Sequence, residues 1–253
     1  HLVSENNYTD AVLDTNEALR QKLYKEMRGR IKENDTSPPT PKGDWAWFSK
    51  YETGQEHQQI SRQSKTSAHP NNIPDIVLDA NKEAVGLDYF KLGGTAISPR
   101  QEYLAWAHDP KGSEYFTLKI RNISADTDLP DTLSNTSGSV AWSIDTRFIF
   151  YILLDENHRP SKVMRHKLGT EQADDVIVYE EDDAGFFVSL SQSRSEELIF
   201  ISAHDHETSE VHMIDAAKPE QKPVPIALRQ PHIEYDVSHD PQRNRLIILT
   251  NKD

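Results

Sequence analysis

From residue 8 to residue 32 the apolar side chains fall mostly four apart. Val12, Leu19, Leu23, Met27 and Ile31 share one face, with Tyr8 and Tyr24 close by. That spacing predicts an amphipathic helix whose wet side carries Glu17, Gln21, Lys22 and Glu26. Asp14 followed by Glu17 fits a capping box, so one helix is expected to end near Leu13 and a second to start there. Ser37-Pro38-Pro39-Thr40-Pro41 closes the segment, because proline lacks a donor and pushes its predecessor out of the helical region. The helical segment is expected to occupy residues 1–37, with a strand-built part over residues 38–253.

Beyond the prolines the period changes from 3.6 to two. Trp45-Ala46-Trp47-Phe48 and Gln58-Gln59-Ile60-Ser61 flank Glu52-Thr53-Gly54, which reads as a hairpin with glycine at a positive-φ position. Short apolar runs then recur: Tyr103 to Ala107, Phe148 to Ile152, Leu198 to Ile201 and Leu246 to Leu249. Each follows an anchor, namely Ala96-Ile97-Ser98, Val140-Ala141-Trp142-Ser143, Val188-Ser189-Leu190-Ser191 and Asp236-Val237-Ser238. Steps from Ser98 to Ser143, Ser191 and Ser238 are 45, 48 and 47 residues. Turns are predicted at Asp109-Pro110-Lys111-Gly112, Asp155-Glu156-Asn157 and His204-Asp205-His206.

Strand, turn, strand, polar connection and strand at a spacing of 40–50 residues is the signature of β-propeller blades. The fold class expected is mainly β, with about four blades after a helical lead, and the last unit breaking off at Thr250-Asn251-Lys252-Asp253. An arc of this kind leaves two blade faces bare. At a few hundred Å² each, that forfeits on the order of 10 kcal/mol, which rivals the ~5–15 kcal/mol stability of a whole domain. The rest of a ring, a second copy forming a homo-oligomer, or a partner chain is expected to cover those faces. The first residue is histidine rather than methionine, which points to a piece of a longer chain.

The formal net charge is −13, carried almost wholly by residues 38–253. Such a surface disfavours nucleic acid and anionic membrane and favours short cationic peptides or basic proteins. With no cysteine, thiolate catalysis and zinc–thiolate sites are excluded, and the composition suits a reducing, cytoplasmic compartment. The sequence holds no apolar stretch long enough to span a membrane and opens on no secretory signal.

Few residues offer chemistry. Glu180-Glu181-Asp182-Asp183 is the densest charge cluster, set between the outer strand of one unit and the inner strand of the next. It is a candidate for domain-interface or peptide-gating contacts, against the plainer reading of a solvated loop capped by its own Asp side chains. The carboxylates lack the ligand spacing of a calcium loop. His204 and His206, with His212 nearby, have no evident third ligand, so neither metal nor cofactor is expected. Trp45, Trp47, Trp106 and Trp142 fall on predicted strands and read as packing between units.

Several stretches resemble the amino-terminal region of oligopeptidase B-like serine peptidases of the prolyl oligopeptidase family. They include Tyr8-Thr9-Asp10-Ala11-Val12-Leu13, Leu23-Tyr24-Lys25-Glu26-Met27-Arg28-Gly29-Arg30-Ile31 and Tyr51-Glu52-Thr53-Gly54. Ser137-Gly138-Ser139-Val140, His166-Lys167-Leu168-Gly169-Thr170, Tyr179-Glu180-Glu181-Asp182-Asp183 and Glu234-Tyr235-Asp236-Val237 continue the match in order. The resemblance implies a seven-bladed propeller over an α/β-hydrolase catalytic domain, and cleavage of short peptides after arginine or lysine. It also implies that the helical segment packs on that hydrolase domain. In such enzymes the catalytic serine sits on a Gly-x-Ser-x-Gly elbow. None of the ten glycines here forms that pattern, so no catalytic residue is expected in this chain. The alternative is a non-catalytic propeller scaffold descended from such a peptidase.

Overall fold

The computed structural model describes residues 1–66 and 73–252, so Asp253 lies outside the described residues. It divides into two compact units, His1–Asn81 and Lys82–Asp253.

In the first unit, α1 (Leu2–Leu13) and α2 (Glu17–Gly29) are joined by a single 3₁₀ turn over Asp14–Asn16. The break falls where the sequence predicts, but the chemistry differs. Asp14 keeps helical angles (φ −61°, ψ −27°) instead of the extended conformation a cap requires, so no capping box forms. Arg20 instead lies between Asp14 (3.8 Å) and Glu17 (3.2 Å). No residue of either helix is buried, and Leu19, Leu23, Met27 and Ile31 all stand in solvent.

A five-stranded antiparallel sheet follows: β1 (Asp35–Thr36), β2 (Thr40–Lys42), β3 (Trp45–Tyr51), β4 (Gln59–Ser64) and β5 (Asp75–Asp79). Gly54 does take a positive φ (79°) in the β3–β4 turn. Arg62 of β4 lies 3.9 Å over the Trp45 ring and bonds Asp75 of β5 at 3.3 Å.

The second unit is a series of antiparallel groups. The first comprises β6 (Lys91–Ile97), β7 (Tyr103–Asp109), β8 (Phe116–Asn122) and the early part of β9 (Thr127–Trp142). The late part of β9 opens the next group, with β10 (Phe148–Leu154), β11 (Pro160–Lys167) and β12 (Val176–Glu180). The sequence suggests a polar connection between these groups. The chain continues as one bulged strand there, so a 16-residue strand serves both and seven strands form one sheet. Its register shows the handover: Thr127 to Thr136 pair with β8, and Thr136 to Trp142 with β10. The third group is β13 (Phe187–Gln192), β14 (Leu198–His204), β15 (Ser209–Asp215) and β16 (Val224–Pro225), and β17 (Tyr235–Asp240) pairs with β18 (Arg245–Thr250).

The apolar runs are unbroken because both faces of their strands are covered. Along β10, Ile149 and Tyr151 enter one core with Ala105, Leu118, Ile120, Leu133 and Trp142. The alternate residues Phe150 and Ile152 enter the next, with Val188, Ile199, Ile201 and Ile214. Phe200 of β14 turns away from that core and packs with Val211 and Tyr235. Each group therefore clamps its neighbour through side chains of opposite parity. Trp142 is fully buried and donates its indole N–H to the Ala96 carbonyl at 3.0 Å.

The repeat also has a turn signature that corrects the anchor alignment. Ser98, Ser143 and Ser193 each donate their backbone N–H to the carbonyl of the residue five positions on and accept that residue's N–H on the hydroxyl. Three residues after each serine comes a left-handed residue: Gln101, Thr146 and Glu196. Asp240 pairs with Arg245 at the matching place in the last hairpin. The equivalents are thus Ser193 and Asp240, two residues beyond Ser191 and Ser238. Hydroxyl spacing along an alternating strand misleads here, because Ser189, Ser191 and Ser193 are all candidates at period two.

Candidate functional site

The loop between β12 and β13 carries the four predicted carboxylates, and the structure gives them different fates. Glu180 pairs with Lys162 across the β11–β12 ladder at 2.8 Å. Glu181 turns inward, its side chain only 6% exposed, and meets the Arg229 guanidinium at 2.5 Å. It also accepts the Tyr179 hydroxyl at 2.9 Å and the Asp183 N–H at 3.0 Å. Burial alone would raise the Glu181 carboxyl, but these bonds, Arg229's foremost, hold it below the usual carboxylate range. Asp183 caps its own loop by accepting the Gly185 N–H at 2.8 Å, while Asp182 and Asp183 both stand exposed.

Arg229 is the residue that sequence reasoning missed. Its guanidinium lies 3.7 Å from the Phe186 ring centre, and its backbone N–H donates to Glu210 at 2.9 Å. Glu210 stands 3.5 Å from His212, whose ring tilts against Tyr179 at 4.9 Å. Glu181 and Arg229 are 48 residues apart, and nothing in local spacing connects them. The four carboxylates therefore do not act as one field. Two are neutralised by cations, and two remain to face solvent.

His212 belongs to this network. Among the described residues no group of three or more His, Asp or Glu side chains could hold a metal ion. His204 lies 6.4 Å from the Phe187 ring.

A second buried cluster also escaped the sequence. His166 of β11 is fully buried between Asp131 of β9 (2.9 Å) and Asp175 (2.7 Å). The Tyr151 hydroxyl donates to Asp175 at 2.8 Å, and the Gly169 N–H to Asp131 at 2.6 Å. Burial would lower the imidazole's basicity, but its bonds to the two carboxylates outweigh this and raise it. Enclosed as it is, the cluster has no route to a substrate.

One serine does meet a histidine: Ser195 Oγ lies 2.8 Å from His239 Nδ1. A nucleophilic triad needs the serine on one ring nitrogen and an orienting carboxylate on the other. Here the nearest carboxylate, Glu197, stands 3.8 Å from the same Nδ1. Ser195 Oγ is moreover engaged with Ser193 Oγ at 2.9 Å and sits in a turn between β13 and β14, not on a strand-to-helix elbow.

A family model described as the N-terminal β-propeller domain of prolyl oligopeptidase matches residues 1–253. A dipeptidyl aminopeptidase BI of Pseudoxanthomonas mexicana is 33% identical over 266 residues, covering 100% of this chain and 36% of the relative. Protease 2 of Moraxella lacunata is 27% identical, covering 100% of this chain and 37% of its own. Oligopeptidase B from Leishmania major superposes with a TM-score of 0.90 at 27% identity, and that of Trypanosoma brucei, with covalently bound antipain, with 0.87 at 30%. Each of those two matches covers all of this chain and 36% of the solved one, so the chain spans about a third of the length of its relatives. No helix among the described residues is long and apolar enough to cross a membrane. From helical lead to last hairpin, this chain belongs to the prolyl oligopeptidase family, as an oligopeptidase B-like N-terminal β-propeller domain.

Proposed function

We propose that this chain is the gating part of a serine oligopeptidase that cleaves short peptides after arginine or lysine, and that the bond-breaking residues lie in an α/β-hydrolase domain outside it. The observation that carries the reading is the sheet series itself. Successive groups clamp one another through paired cores, and the contact between the Ser195 hydroxyl and His239 has its nearby carboxylate on the same ring nitrogen. In this reading the groups are about four blades of a seven-bladed ring, and residues 1–37 form the segment whose bare apolar stripe rests on the hydrolase domain. A ring of this size admits extended peptides, excludes folded proteins and keeps water from the closed site. Asp182 and Asp183 draw cationic peptides toward it. The compartment that suits the composition is the cytoplasm.

The test compares this chain with the complete protein on arginyl, lysyl and uncharged peptide amides, each with a free and a blocked amino terminus. Turnover of the basic substrates is expected from the complete protein alone. Hydrolysis by this chain would overturn the reading. The free-terminus arm decides whether the activity resembles that of the relative named a dipeptidyl aminopeptidase.

A further inference from the structure

A cavity of about 420 Å³ opens where β13–β15 meet the β17–β18 hairpin. Ile144, Leu198, Met213, Ala217 and Leu246 supply an apolar wall. His239 also lines it, although its side chain is only 5% exposed. Two polar groups at the rim are already satisfied: Asp215 pairs with Lys218 at 3.0 Å and Arg245 with Asp240 at 3.1 Å. Among the described residues Glu197 pairs with no lysine or arginine; the His239 ring stands 3.8 Å from it.

The hydrogen-bond chain behind His239 fixes what that residue presents. Leu198 N–H donates to Ser193 Oγ at 3.0 Å, Ser193 and Ser195 hydroxyls meet at 2.9 Å, and Ser195 Oγ meets His239 Nδ1 at 2.8 Å. A carboxylate beside Nδ1 favours the neutral tautomer with its proton on that nitrogen, in which Nδ1 donates to Ser195 and Ser195 onward to Ser193. Nε2 is then left as a lone-pair acceptor, with no partner among the described residues and its ring on the cavity wall. An anion there would face Glu197, and a purely apolar molecule would leave the acceptor unmatched.

We infer that this cavity binds a small amphiphilic primary amine, its ammonium donating to His239 Nε2 in a cavity that Glu197 also lines, and its apolar body lying on Ile144, Leu198, Met213 and Leu246. The volume is that of an ordinary small-ligand site, about 300–1,000 Å³. This site is separate from peptide gating and stands or falls without it.

Phenethylammonium, phenethyl alcohol and phenylacetate are titrated into the ¹⁵N-labelled protein in mildly alkaline buffer. In the free protein the Nε2 resonance of His239 is expected in the unprotonated, pyridine-type region, moving toward the pyrrole type as the ammonium binds. The alcohol should bind about tenfold more weakly, because a neutral O–H donor replaces a charged one, and phenylacetate should not bind. Ala217→Phe, at an exposed position where folding is undisturbed, should fill the cavity and abolish the shift. A pyrrole-type Nε2 in the free protein, equal binding of phenylacetate, or a shift that survives Ala217→Phe would each overturn the assignment.

Discussion

Two buried ionic clusters fix residue-scale behaviour in opposite ways. The Glu181–Arg229 pair reaches the surface through a half-buried arginine, whereas His166 is closed in with Asp131 and Asp175 and shares no contact with solvent. An imidazole flanked by two carboxylates is better protonated folded than unfolded, and its raised basicity fits that. The stabilisation is therefore complete below the unfolded imidazole value of about 6.5 and is lost as pH climbs through the higher folded value. Urea midpoints measured from mildly acidic to alkaline pH should fall across that upper window. In His166→Gln, which hydrogen-bonds but does not titrate, the fall should be absent and stability lower at acidic pH. An unchanged pH profile in the variant would show that the cluster is neutral in the native state. Neither cluster was legible in the sequence. Asp131 and His166 lie 35 residues apart and meet only because β9, β10 and β11 adopt one particular register.

At the scale of elements, β6 and β9 approach closely at their glycines. A Cβ on Gly94 would stand 2.3 Å from the Gly138 carbonyl oxygen, and one on Gly93 would meet the Phe116 ring at 2.7 Å. The β6–β7 register slips between Leu92 and Thr95, so a bulge carries the two glycines past the bend of β9, where Gly138 takes a φ of 85°. Gly94→Ala has a carbonyl, not a flexible side chain, in its way, and should cost about 1–3 kcal/mol by overpacking. Gly29→Ala, with nothing within 4 Å, should be close to neutral or slightly stabilising and serves as the control. Thermal denaturation of the two variants reads the difference; equal midpoints would mean that the groups are free to slide. Much of this level was legible. The apolar runs and the Asp-capped turns at Asp109 and Asp155 follow from local chemistry that the fold keeps, and the helix break near Leu13 falls at the expected place. What failed was local too. The serine at every second position of β13 concealed which hydroxyl closes the turn, and Asp14 capped nothing because its backbone stayed helical. The long β9 was hidden because Ser134 to Ser139 are polar, yet Thr136 among them still pairs with both β8 and β10.

The charge of the whole molecule matters for approach, not for folding. Of four consecutive carboxylates at the β12–β13 loop, Glu180 and Glu181 are held by Lys162 and Arg229, so only Asp182 and Asp183 project an uncompensated field. A sequence shows four acids in a row; the strand register decides that two of them have cations opposite. If these two aspartates draw basic peptides toward the hydrolase, as proposed above, their effect belongs to encounter and not to chemistry. In the complete protein, Asp182→Asn with Asp183→Asn should then lower kcat/KM for arginyl peptides about two- to fivefold at low salt, leaving kcat unchanged and uncharged substrates unaffected. Salt supplies the second reading, because exposed charges are screened beyond about 10 Å at 0.1 M and about 3 Å at 1 M. The gap between native and doubly substituted protein should therefore close as ionic strength rises. A gap that persists at high salt would mean that the aspartates touch the peptide or the hydrolase directly. No gap at any salt concentration would reduce the pair to a solvated turn whose one structural duty is Asp183's bond to Gly185.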